Sequence, residues 1–122
     1  MSLAQVGSGK LRFVKKLLFV CSRNQWRSKT AEALFRDRSG LSVRSAGTAA
    51  SARIKMTQEL LHWADVVFVM EPKHASVLRK RFGFRNSVCL DVPDDYRYMD
   101  PVLVEILEGH LRAYLGTDAN DG

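Results

Sequence analysis

An eight-residue turn, Cys21-Ser22-Arg23-Asn24-Gln25-Trp26-Arg27-Ser28, joins two stretches of different periodicity. Before it, Lys16-Leu17-Leu18-Phe19-Val20 is a short apolar run without alternation, which reads as a buried strand. After it, Lys29 to Arg36 places Ala31, Leu34 and Phe35 on one helical face. The stretch is therefore a strand-to-helix turn with a thiol at its start and a guanidinium at its end. Backbone amides of such a turn point inward as a nest, and the helix N-terminus adds positive potential. An arginine there holds two oxygens of a tetrahedral oxyanion with one planar fork. The same field favours a thiolate at Cys21, and a thiolate facing a bound phosphate is a nucleophile for phosphoryl transfer.

The remaining chain alternates strands and helices. The first strand runs from Lys15 to Val20, and the first helix over residues 28–38, stopped by Ser39-Gly40. Leu41 to Ser45 reads as a second strand, followed by a turn at Ala46-Gly47-Thr48 and a loop to Lys55. Thr57 caps a short helix to Trp63, with Leu60, Leu61 and Ala64 on one face. Asp65 to Met70 is a third strand, whose continuous apolar core suits a strand covered on both faces. Pro72 opens a helix to Phe82, and Asn86 to Asp91 forms a fourth strand. Asp100 caps a last helix whose apolar stripe is Val102, Leu103, Ile106, Leu107, Leu111 and Leu115. Alternation of this kind predicts an α/β fold with a parallel sheet and right-handed crossovers. Ligands of such sheets bind beyond the carboxyl ends of the strands, where Cys21 lies.

Composition narrows the class. At 122 residues and 46% hydrophobic content, the chain is long enough for one domain with a core. We expect a flexible leader over 1–13, the domain over 14–116 and a tail over 117–122. No apolar run approaches the ~20 residues that span a bilayer. Two cysteines make no disulfide framework, and the expected setting is reducing and cytoplasmic. A net charge of +6 suits an anionic ligand, and no nucleic-acid motif accompanies it. The three histidines, His62, His74 and His110, fall on separate helices without metal-ligand spacing, so no metal is expected. Cys89 reads as a core cysteine and Trp63 as a core tryptophan. Trp26 reads either as a wall of the pocket or as packing behind it.

Cysteine, five residues, arginine and serine at a strand-to-helix turn resembles the phosphate-binding loop of cysteine-dependent tyrosine phosphatases. Asn24 and Ser28 narrow the resemblance to the low-molecular-weight protein tyrosine phosphatase family. Ser45-Ala46-Gly47-Thr48, Ala64 to Met70 and Asp94-Asp95-Tyr96 look like further landmarks in the family's order. The resemblance covers about Lys16 to Leu115. It implies a three-layer sandwich with a four-stranded parallel sheet in the order 2-1-3-4. It also implies a phosphomonoesterase acting through a cysteinyl-phosphate, without a cofactor. Cys21 would be the nucleophile, Arg27 the clamp and Asp94 the general acid; Asp95 and Asp100 compete for that last role, Asp100 with a complete explanation as a helix cap. Ser22, Arg23, Asn24, Gln25, Trp26, Ser28 and Tyr96 would contact the substrate, a phosphotyrosine protein or a small aryl phosphate. Asn24 also reads as a residue that ties the loop together by side-chain hydrogen bonds, and Ser28 as a plain helix residue or a hydroxyl donor to the Cys21 thiolate. Tyr96 and Tyr98 read equally as aromatic walls or as tyrosines packed near a helix start.

The chain departs from the family at four places. Arg23 stands where glycine is usual, Trp26 replaces a second loop cysteine, and Asp95 stands where proline is usual. The segment after Ala-Gly-Thr, which supplies an aromatic wall in the family, is much shorter. Two other readings use the same loop. One is arsenate reduction, whose thioredoxin-coupled form needs further cysteines. The other is a phospho-ligand-binding module without catalysis, which would need neither thiolate nor acid.

Overall fold

In the computed structural model, residues 14–115 are described; the expected leader and tail lie outside them. Four strands and four helices alternate: β1 (Lys15–Cys21), α1 (Arg27–Phe35), β2 (Leu41–Gly47), α2 (Gln58–Trp63), β3 (Val66–Val69), α3 (Pro72–Phe82), β4 (Val88–Cys89) and α4 (Pro101–Leu115). The sheet is wholly parallel in the order β2-β1-β3-β4. This is the expected order, and it makes β1 and β3 the interior strands.

The period-2 alternation of a strand divides β1 between two cores. Leu17, Phe19 and Cys21 join a cluster with Ala31 and Phe35 of α1 and Leu103, Leu107 and Leu111 of α4. Leu18 and Val20 join a cluster with Leu61 of α2 and Leu78 of α3. Both faces are therefore covered by helices, which gives the three-layer sandwich. Phe19 stacks between Phe35 (5.9 Å) and Phe68 (5.2 Å) at the centre of the first cluster. Each such fully buried side chain contributes about 1.5–3 kcal/mol of burial free energy.

Element boundaries differ from expectation in informative ways. Helix α1 begins at Arg27 and ends at Phe35, three residues before the expected stop. Strand β2 continues through Ala46 to Gly47, where a turn was expected, because its ladder to β1 persists to Cys21–Gly47. Strand β4 is only two residues long, pairing Val88 and Cys89 with Phe68 and Val69. Cys89 is exposed rather than core, on a two-residue strand at the edge of the sheet. Val102 is 50% exposed, so the buried stripe of α4 narrows to Leu103, Leu107 and Leu111. Trp63 is half-buried, packed against the second cluster with the Arg44 guanidinium 4.3 Å above its ring. Thr57 caps α2 by accepting from Leu60 N–H (3.2 Å), as expected.

Gly47 marks where the sheet meets the loop after β1. A Cβ added there would lie 2.5 Å from the Ser22 carbonyl oxygen and 2.9 Å from the Arg23 carbonyl carbon. Backbone atoms cannot move aside cheaply. Gly47→Ala should therefore lose about 1–3 kcal/mol of stability, the usual cost of overpacking, and displace the loop. Urea unfolding measures the first effect and inorganic phosphate affinity the second. An alanine variant equal to the parent in both would contradict this packing.

Candidate active site

The loop Cys21–Trp26 crosses the carboxyl end of the sheet. Its carbonyls face outward, onto the segment that follows β2. Thr48 N–H donates to Cys21 O (2.9 Å), Ala49 N–H to Ser22 O (2.8 Å) and Arg53 N–H to Arg23 O (3.0 Å). The Arg53 side chain adds a bond to Asn24 O (3.2 Å). With the carbonyls held outside, the amides of Arg23, Gln25 and Trp26 have no acceptor among the described residues. Inward-facing amides of this kind form the anion nest that the turn required.

Asn24 holds the loop from within. It sits at φ 59°, a left-handed conformation that asparagine tolerates. Its N–H donates to Cys21 Sγ (3.2 Å). Its side-chain amide donates to Ser28 Oγ (2.8 Å) and to Ser45 Oγ (2.9 Å). Ser28 Oγ accepts from Asn24, so its own proton can go to Cys21 Sγ, 2.9 Å away, in preference to the Ala46 carbonyl at 3.5 Å. Ser45 in turn donates to Glu32. The sulfur thus faces two donors, which favour negative charge on it.

Arg27 is 2% exposed, although it opens a helix. Its Nη1 donates to the Val92 carbonyl (2.8 Å) and to the Glu71 carboxylate, and its Nε lies 3.6 Å from Asp94 Oδ1. Glu71 follows β3, and Val92 and Asp94 follow β4. Three strand ends therefore converge on one guanidinium. Burial raises the Glu71 pKa, but the hydrogen bond and charge of Arg27 outweigh it and leave the carboxyl below its usual range.

His74, on the first turn of α3, also reaches the loop. Glu71 N–H donates to its Nδ1 (3.0 Å), and its Nε2 lies 2.9 Å from Ser22 Oγ. Burial, reinforced by the nearby Arg27 charge, pushes its pKa down to about 4.

A pocket of about 290 Å³ opens here, lined by Cys21, Ser22, Arg23, Gln25, Trp26, Arg27 and Asp94. Seven of the ten residues expected at the site thus line one cavity. The other three do not. Asn24 and Ser28 are fully buried behind the loop, where they bond its sulfur instead of a ligand. Tyr96 packs against the first core cluster, and Tyr98 is 43% exposed beneath Lys29 Nζ, 4.6 Å from its ring centre. Neither tyrosine lines the pocket. Trp26 does, with the Arg97 guanidinium 5.7 Å from its ring centre. Of the competing aspartates, only Asp94 lines the pocket; Asp100 caps α4 by accepting from Val102 N–H (2.8 Å). Sequence reasoning missed Glu71, His74 and Arg53. The only signal for Glu71 was a carboxylate at the end of the third strand, on the edge that already carried Cys21.

Known proteins resemble this chain in sequence and in fold. The family model described as low molecular weight phosphotyrosine protein phosphatase matches residues 16–62. A protein-arginine-phosphatase of Bacillus subtilis (strain 168) is 34% identical over 100 residues, covering 59% of this chain and 67% of that protein. Among solved structures, the Streptococcus pyogenes low molecular weight protein tyrosine phosphatase SP-PTP superposes with a TM-score of 0.71 at 14% identity. That match covers 88% of this chain and 97% of the other. Vibrio vulnificus Wzb in complex with benzylphosphonate superposes with a TM-score of 0.69 at 21% identity, covering 89% and 99%. At these identities the two structures bear on the fold alone.

His74 makes stability depend on pH. Its pKa is about 4 in the fold, against 6.5 when unfolded, so between these values the unfolded chain binds more protons. Stability should be complete above pH 6.5 and fall as pH drops toward 4. The loss reaches roughly 3 kcal/mol at 1.36 kcal/mol per unit. Glu71 adds a further loss below its ordinary range. Denaturant unfolding at pH 7 and pH 5 should show the fall in the parent and a smaller one in His74→Gln. Equal falls would remove His74 as the cause.

Proposed function

The chain belongs to the low-molecular-weight protein tyrosine phosphatase family and is a cysteine-dependent phosphatase; on that premise we propose that Cys21, Arg27 and Asp94 carry the reaction. The observation that supports this most is the meeting of a doubly hydrogen-bonded cysteine sulfur, a buried guanidinium and a carboxylate around one pocket. The Cys21 thiolate attacks phosphorus, and the bond from phosphorus to the leaving group breaks as the sulfur–phosphorus bond forms. Asp94 gives its proton to the leaving atom. In the second half-reaction Asp94 takes a proton from water, which attacks phosphorus and expels the thiolate, releasing phosphate. The loop amides and the free edge of Arg27 hold the equatorial oxygens through both steps. Glu71 and Val92 occupy only Nη1, so Nη2 has no partner among the described residues and Nε, 3.6 Å from Asp94, turns toward the pocket.

The substrate is a phosphorylated protein side chain. Phosphotyrosine fits the aromatic wall that Trp26 provides at the mouth. Phosphoarginine is a second reading, favoured by the 34% identical protein-arginine-phosphatase. Gln25 and Asp94 at the pocket would suit a guanidinium leaving group, whose nitrogen Asp94 would protonate. Parallel kinetics on a phosphotyrosine and a phosphoarginine peptide distinguish the two. A free thiolate nucleophile suits a reducing cytoplasmic setting. No described helix is long and apolar enough to cross a membrane. Arsenate reduction gains no support: Cys89 lies two strands from Cys21, roughly 10 Å at ordinary strand spacing. Cysteines that far apart cannot pair without backbone movement.

Leaving-group dependence tests the assignment of the acid. Asp94→Asn should slow hydrolysis of phenyl phosphate by ~100- to 10,000-fold and that of a nitrophenyl ester far less. Asp95→Asn should do neither. Should Asp95→Asn alone show the dependence, the acid is Asp95. Cys21→Ser should bind inorganic phosphate without turnover, since no adjacent base activates a serine there.

A further inference from the structure

Neither Ser22 nor His74 has a part in the chemistry above, yet through their contact α3 touches the rim of the pocket. The hydrogen-bond directions there are determined. Glu71 N–H is a donor only, so His74 Nδ1 must carry a lone pair. His74 is 1% exposed, and its low pKa keeps it neutral at pH 7. The single ring proton is therefore on Nε2, and it is donated to Ser22 Oγ at 2.9 Å. A serine hydroxyl that accepts from a fixed neighbour must point its own proton elsewhere. Ser22 lines the pocket, and its hydroxyl proton has no acceptor among the described residues.

We propose that His74 is a positioning residue that holds the Ser22 hydroxyl as a hydrogen-bond donor to a phosphoryl oxygen in the pocket. The proposal rests on the phosphatase reading of this site and adds to it a donor that is neither a loop amide nor Arg27. A hydroxyl bonded to a dianionic phosphate makes a charge-assisted bond, of the stronger kind. Its removal leaves the phosphate one donor short, because the imidazole behind it stands too deep to replace it. The arrangement also links catalysis to the start of α3. Glu71 fixes Arg27 through its carboxylate and His74 through its backbone amide, so one residue sets two anion contacts.

The test uses the whole chain and inorganic phosphate as the probe, with turnover of a nitrophenyl ester measured alongside. Ser22→Ala should weaken phosphate binding by about 10- to 100-fold, the range for a hydrogen bond to a charged group. Ser22→Thr keeps the hydroxyl and should stay within a few-fold of the parent. His74→Gln offers one acceptor and one donor and should also stay close, whereas His74→Leu should match Ser22→Ala. Combining Ser22→Ala with His74→Leu should cost no more than either alone, since His74 acts through Ser22. Nitrogen-15 NMR should show His74 protonated at Nε2 only. Full phosphate affinity in Ser22→Ala, additive losses in the double variant or a proton on Nδ1 would each overturn the proposal. If His74→Leu does not fold, the serine pair and the NMR signature still decide. A parent that neither binds phosphate nor turns over would instead overturn the phosphatase reading itself.

Discussion

The buried guanidinium of Arg27 is the constraint on which the rest of the site depends. A cation that is 2% exposed has lost nearly all its hydration, and an unpaired one would cost several kcal/mol. Glu71 and the Val92 carbonyl make up that loss, and they come from the ends of β3 and β4. The pairing therefore joins three crossovers of the sheet at a single point. It also leaves the far edge of the guanidinium, together with Asp94, facing the pocket. A buried pair of this kind is weak evidence for stability. Its value lies in fixing the direction of the fork, which a solvated arginine would not hold.

The loop depends on the same principle applied to the backbone. Buried peptide groups must find partners, and here the carbonyls of Cys21 to Asn24 find them in residues 48–53. This frees the amides for an anion. The shortened segment after β2 thus keeps a role even without an aromatic wall: it holds the loop's carbonyls outward. From Glu32 through Ser45, Asn24 and Ser28, a run of buried side-chain hydrogen bonds then ends on the Cys21 sulfur. Both amide donors of Asn24 are satisfied and fix the geometry of this network, while its Oδ1 is buried without a partner among the described residues.

Local signals in the chain carried the fold. The apolar run before Cys21, the cap at Thr57, Pro72 and the stripe of α4 all depend on neighbours within a few residues, and each appears where expected, except that Val102 falls outside the buried stripe. Strand β4 was overestimated because its short edge pairing is set by tertiary contact, not by propensity. Cys89 was misread for the same reason: its exposure follows from its place at the sheet edge. Asn24 and Ser28, placed with the substrate by their motif position, take the other role their chemistry allows, tying the loop and bonding the Cys21 sulfur. Which side of a loop a side chain takes is a three-dimensional fact. Glu71, His74 and Arg53 were invisible because their partners lie 29 to 52 residues away in the chain. Only folding brings a carboxylate that precedes Pro72 against the guanidinium of Arg27.

The central claim is that the phosphoryl group passes through the Cys21 sulfur. Acid quenching of the parent enzyme during turnover of saturating nitrophenyl phosphate, followed by peptide mass spectrometry, observes that step directly. An activated leaving group makes formation of the intermediate outpace its hydrolysis, so it accumulates. The account predicts one phosphoryl group on the peptide containing Cys21, and none on the peptide containing Cys89. Product formation with the Cys21 peptide unmodified throughout, or with the phosphoryl group on another residue, would contradict it.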